Sequence, residues 1–149
     1  ICGGEKVRDT DGVIKSFYKS FYNEETGLFR DSESKMHSAV HSNIFPLLFG
    51  IYGKDEELKK RLVKKIYDKK LNSMGVYMAY FALAALVENG ERDKAIELAL
   101  DENAWLNMIK EGATTTFEAW GKEQKWNTSL FHPWAVAPLI VFNDGKEIY

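Results

Sequence analysis

Glu118 is the one acid between Glu111 and Glu123, and it stands behind Thr114, Thr115 and Thr116, between Phe117 and Ala119, with Trp120 close by. A carboxylate held among aromatic rings has its basicity tuned by desolvation and can act as a general acid or base. Its alternative is structural: capping a helix turn or pairing with a lysine such as Lys122. Downstream, "HPW" sets His132 ahead of Pro133 and Trp134. Proline suits the first position of a helix, which leaves His132 near the cap with its imidazole at the loop, where capping alone would also explain it. Five aromatics fall in the 18 residues from Phe117 to Trp134, in a chain that is 13% aromatic, and three of them are Trp120, Trp126 and Trp134. Large amphipathic rings beside polar groups suit sugars, offering flat faces to C–H surfaces while neighbours bond the hydroxyls. Trp126 and Asn127 therefore join Trp120, His132 and Trp134 as candidate sugar contacts. Packing of a long loop is the plain alternative.

A second candidate set is His37 and His41. The spacing i, i+4 puts two imidazoles on one helix face, where a third ligand such as His132 or Glu118 would complete a zinc site. "HSAVH" lacks the glutamate of HExxH, however, so the expectation is a polar helix entrance lining a pocket, with no metal. No glycine-rich phosphate loop follows a strand, no GxSxG elbow occurs, and Cys2 at the terminus is a poor nucleophile.

The elements that must position these residues are nearly all helices. "DGVIKSFYKSFY" (11–22) spaces Val13, Phe17 and Phe21 four apart, with Asp11 as its expected cap. "MHSAVHSNIFPLLFGIY" (36–52) is expected as a helix kinked or restarted at Pro46. "DEELKKRLVKKIYDKK" (55–70) has acids first and lysines last, as the helix dipole favours. "GVYMAYFALAALVEN" (75–89) is apolar all round and ends at Gly90. "RDKAIELALDENAWLNMIKE" (92–111) is amphipathic and breaks near Asp101, and "PWAVAPLIVF" (133–142) is apolar, with a strand as its alternative. One-sided and all-round apolar helices thus alternate, which is what stacked helical hairpins produce when every second helix lies inside. The expected fold is all-α. Segments 23–35, 71–74 and 112–132 then emerge at one rim, and they or the first turns just after them carry all three histidines with Tyr77, Tyr80 and Glu118.

The 149 residues suffice for one domain with a sizeable core, and the net charge is −2. The basic run "KKRLVKKIYDKK" (59–70) reads as the wetted face of an amphipathic helix, so no nucleic-acid partner is expected. A lone cysteine allows no intrachain disulfide, and no apolar run reaches the length of a membrane span. The compartment is left open. A start at Ile1 without methionine reads as a piece of something larger.

At this point the residues resemble a family. "GATTTFEAWGKEQKWNTSLFHPWAVAP" (112–138) resembles the last third of the catalytic barrel of bacterial α-L-rhamnosidases, glycoside hydrolase family 78, where Thr-Thr-x-aromatic-Glu-x-Trp precedes a His-Pro-Trp-like segment. "GLFRDSESKMHSAVHSNIFPLLFGI" (27–51) is similar to the preceding hairpin of that barrel. The resemblance implies an (α/α)6 toroid and inverting hydrolysis of terminal α-L-rhamnose from a glycan or glycoside, with no metal or cofactor. By this likeness Glu118 is the general base, His132 contacts the sugar, and Trp120 and Trp134 are pocket walls. Phe117 stands where such enzymes more often have tryptophan, and the family's general acid lies in an earlier segment without a counterpart here. Three outer–inner pairs against the toroid's six imply that the chain is about half a barrel, inactive alone, whose partner is the remainder of the barrel or a second copy. Other toroid glycosidases, polysaccharide lyases and a noncatalytic helical-repeat module binding glycan or protein are the alternatives.

Overall fold

Two helices show most directly how this sequence makes its elements. In the computed structural model, which describes residues 9–139, helix α3 runs Glu56–Lys69 and α4 Val76–Glu88. The Asp55 side chain accepts from the Leu58 amide, Glu56 and Glu57 occupy the first turn, and Lys69 the last, so both ends of α3 match its dipole. Its buried face is Leu58, Leu62, Val63 and Ile66. Helix α4 buries Val76, Ala79, Ala82, Leu83, Ala85 and Leu86. It stops at Gly90, whose φ of 83° lets the amides of Gly90 and Glu91 bond back to Val87 and Leu86 in a Schellman arrangement.

The expected break near Asp101 is present, separating α5 (Arg92–Ala99) from α6 (Trp105–Lys110). Asp101 draws the chain out of helix by accepting from the Asn103 amide and from Lys70. Helix α1 spans Thr10–Phe21, but its cap is Asp9, which accepts from the Gly12 amide at 3.0 Å. Asp11, expected as the cap, lies in the first turn instead.

The largest departure is in segment 36–52, where the helix α2 covers only His41–Leu48. The preceding residues are claimed by other partners: Asp31 accepts from the Ala39 amide, and the fully buried Asn43 binds the Ala39 carbonyl and the Ser38 hydroxyl. Pro46 sits inside this short helix, two residues from its end. Residues 23–35, expected as a loop, include a two-rung antiparallel hairpin of β1 (Tyr22–Asn23) and β2 (Leu28–Phe29). Two residues per strand leave no alternation to read in the sequence. Of the last apolar segment, Pro133–Ala135 forms a 3-10 turn, and residues 140–142 lie outside the described residues.

Helix α2 packs against α3 and α4, and α4 in turn against α5 and the Pro133 turn. The apolar helix α4 and the apolar second half of α2 are thus flanked by amphipathic helices, and the fold is an all-α hairpin domain. At the joint of the inner pair, Asn89 donates to the carbonyls of Leu47 and Ala85 and accepts from the Tyr52 hydroxyl. No helix among the described residues is long and apolar enough to cross a membrane.

Candidate active site

The chain enters the site from α6. Gly112, with φ of 81°, ends that helix by the same back-bonding as Gly90, and Ala113 packs onto the core. The threonine run then proceeds without regular structure, as β-branched residues with local hydroxyl bonding favour. Thr116 grips His132 twice: its hydroxyl donates to the His132 carbonyl at 2.6 Å, and the His132 amide donates to the Thr116 carbonyl at 2.8 Å. The Glu118 amide bonds the Ser129 carbonyl at 2.9 Å. Two backbone rungs therefore hold Glu118 and His132 in fixed relation.

Two tryptophans lock this loop to the helices. Trp105 and Trp120 meet edge to face at 4.9 Å between ring centres. The Trp120 indole N–H donates to the Met74 carbonyl, just ahead of α4, and that of Trp105 donates to the Ala135 carbonyl, both at 2.6 Å. Asn107 adds a bond to the Trp120 carbonyl. Trp120 is only 4% exposed, so it gives the site rigidity and an edge of wall, without an open face.

Glu118, the segment 72–75 before α4, Tyr77 and His41 border one cavity of about 490 Å³, together with Gln124 and Lys125. Among the described residues Glu118 is the only carboxylate on its wall. The side chain is 24% exposed and bound on both oxygens: Lys125 Nζ lies 2.5 Å from Oε1, and the Ser129 amide donates to Oε2 at 3.2 Å. Lys125 first, and the Ser129 amide second, hold the Glu118 carboxyl below its ordinary value of 4.5; partial desolvation opposes them and is outweighed. The expectation that desolvation among aromatics would set its basicity is corrected by this ion pair. Its partner is also not Lys122, which is taken by Glu111 through both its amide and its ammonium.

His132 presses edge-on against Tyr77 at 5.1 Å, and Tyr77 also meets Trp134 at 5.8 Å. The His132 Nε2 is buried with no hydrogen-bond partner among the described residues. Trp134 is 67% exposed beside Tyr80, while Trp126 is 96% exposed and Asn127 is likewise on the surface. Neither Trp126 nor Asn127 borders the Glu118 cavity.

His37 and His41 do not share a helix face, because α2 begins only at His41. His37 Nδ1 instead lies 2.5 Å from Asp31, whose carboxyl is lowered by that bond and then by the Ala39 amide. No group of three or more metal-ligating side chains forms among the described residues. His41 keeps a place at the site and also borders a second cavity with His37.

Sequence reasoning missed Lys125. It lies seven residues beyond Glu118 across an irregular turn, where no periodicity signals a contact. It also did not single out Asn72 and Ser73, which border the cavity on the turn ahead of α4.

The profile of the bacterial alpha-L-rhamnosidase 6 hairpin glycosidase domain matches residues 8–142. No curated protein and no solved structure matches the chain.

Proposed function

The chain belongs to the bacterial alpha-L-rhamnosidase 6 hairpin glycosidase family, and from that premise we propose that its Glu118 cavity seats the terminal sugar of an α-L-rhamnoside, with Glu118 as general base of an inverting hydrolysis. The observation that carries this reading is Glu118 itself, the cavity's only carboxylate among the described residues and held ionised by Lys125. A base must be unprotonated at the working pH, and the Lys125 ion pair favours that form of Glu118. Each carboxylate oxygen keeps a second acceptor position beyond its bond to Lys125 or Ser129, so a water can be held and deprotonated without breaking the ion pair. His132 does not itself line the cavity, but its Nε2, buried against Tyr77 and unpartnered among the described residues, gains a hydrogen bond if a sugar hydroxyl displaces the packing that covers it. Tyr77 and Trp134 offer ring surface beside it to the C–H face of the sugar.

Inversion needs a second carboxyl, protonated, about 6.5–9.5 Å from the first on the opposite face of the sugar. We place that acid in the part of the six-hairpin domain that this chain does not supply, and take the chain for about half of the toroid. The inner helices support this, since they leave an aromatic edge in water: Phe45 stacks on Phe49 and meets Phe81 at a tilt, Phe81 meets Tyr80, and Phe49 and Tyr80 are exposed. Monomers rarely leave such an edge bare. Light scattering of the isolated chain is then expected to show association, and a strictly monomeric chain would count against the half-barrel.

The catalytic test is turnover of 4-nitrophenyl α-L-rhamnopyranoside by the complete domain. Glu118→Gln is expected to lower kcat by about a hundredfold or more, and the first product seen by NMR is expected to be the β anomer. One observation favours a second reading, a sugar-binding surface without catalysis: the ion pair and the Ser129 amide would serve a purely structural Glu118 equally well. In that case the wild type binds rhamnosides without cleaving them, and Glu118→Gln binds as well as the wild type.

A further inference from the structure

The basic run of α3 is not uniformly solvated. Lys60 pairs with Glu57, Lys64 with Asp68 and Lys70 with Asp101, Lys59 lies over the Tyr52 ring, and Arg61 donates to the Gly27 carbonyl. Lys65 and Lys69 have no hydrogen bond or ion pair among the described residues, and these two border a cavity of about 620 Å³. They stand i, i+4, one above the other on one helix face. Lys65 is half-buried there and Lys69 exposed, so the stem of Lys65 packs on the helix while neither ammonium has a counter-charge among the described residues. His37 and Met36 also line it, and among the described residues no acid borders the cavity; Asp31, bonded to His37, is committed to that ring and to the Ala39 amide.

This cavity adjoins the Glu118 cavity, with His41 and Ser73 on the wall of both. One cavity therefore carries Glu118, and its neighbour a cationic pair without a counter-charge among the described residues. We propose that the Lys65–Lys69 cavity is a subsite for an anionic sugar unit, carboxylated or sulfated, adjoining the sugar held at Glu118. The anion supplies the counter-charge that the protein itself withholds, and charge-assisted bonds to two ammoniums fix its position. The substrate class is thus an acidic rhamnoside. This inference rests on the rhamnoside reading of the Glu118 cavity for the identity of the neighbouring unit, but not for the anion itself.

Nitrogen-15 NMR of the full chain separates the two. D-glucuronate or D-glucose 6-sulfate is expected to shift the amides of Ala39 and Ser73 at concentrations where D-glucose does not, and which of the two does so identifies the anion. Lys65→Gln with Lys69→Gln is expected to weaken that binding by about tenfold or more, while methyl α-L-rhamnoside still shifts Ala119 and Gln124 as in the wild type. The proposal is overturned if D-glucose shifts the same amides equally, if the double variant binds the anionic sugar as the wild type does, or if inorganic sulfate matches the sugars, which would mean an adventitious ion only. Should methyl α-L-rhamnoside leave Ala119 and Gln124 unmoved while the anionic sugar still binds, the rhamnoside reading fails and the anionic subsite stands.

Discussion

Two asparagines fasten loops onto helices in this molecule, and their surroundings differ in a telling way. Asn43 is fully buried; its Oδ1 accepts from the Phe29 amide, and its Nδ2 reaches the carbonyls of Phe29 and Ala39 and the hydroxyls of Ser38 and Ser42. Around it the polar groups are mutually satisfied, and the Phe29 ring, whose backbone they hold, packs against Phe17 and Tyr18. Asn107 holds the Trp120 carbonyl in the same manner, yet the loop beyond it keeps a His132 Nε2 orphaned among the described residues and an acid bound by an exposed lysine chain. Satisfied groups stabilise, and unsatisfied buried ones cost free energy until something binds. The first region is complete in itself, whereas the second has bonding capacity left for a ligand.

That contrast can be broken most directly at Asn43. Asn43→Ala strands the buried Phe29 amide and is expected to cost about 3 kcal/mol in urea unfolding; a loss no larger than that of a surface substitution would erase the distinction. Trp120→Phe keeps the ring against Trp105 but removes the bond to Met74, with an expected loss of about 1 kcal/mol in the same assay. Lys125→Met sharpens the comparison from the other side, since it should leave unfolding almost untouched while the Glu118 carboxyl, followed by carbon-13 NMR, titrates higher than in the wild type. The sign follows from linkage: a carboxyl depressed in the folded state adds stability above its unfolded pKa, and that stability is lost as pH falls through the folded value. For Glu118, as for Asp31 and Asp101, the loss lies on the acid side of the ordinary carboxylate range. His37→Ala should have the smallest effect, raising the Asp31 pKa with at most about 0.5 kcal/mol of stability, as suits an exposed pair.

The parts of the fold legible in the sequence are those whose signals are local. Helices α3 and α4 begin and end within a residue of expectation, because Asp55 caps one, Gly90 ends the other and each apolar face follows the helical period. The start of α2 was not legible, since the competitors for its first turn, Asp31 and Asn43, act through side chains whose targets only the folded hairpin supplies. At the site, residue types and order pointed to Glu118 and His132, and the loop does hold them together. What escaped was partnership: Lys125 for Glu118, Asp31 for His37, and Trp105 with the Met74 carbonyl for Trp120. Each of these contacts spans an irregular segment, where sequence distance carries no directional information.

The four tryptophans divide evenly between the two kinds of surroundings, with Trp105 and Trp120 buried and Trp126 and Trp134 in water. The chain consequently contains its own pair of optical reporters. Blue-edge emission that acrylamide cannot quench follows the Trp105–Trp120 pair and hence the integrity of the loop's attachment. Red-edge, quenchable emission follows the rim, and of its two sources Trp134 alone touches Tyr77 and can respond when a sugar settles there. A single emission spectrum, split by quencher, thus reads folding and occupancy separately without any label.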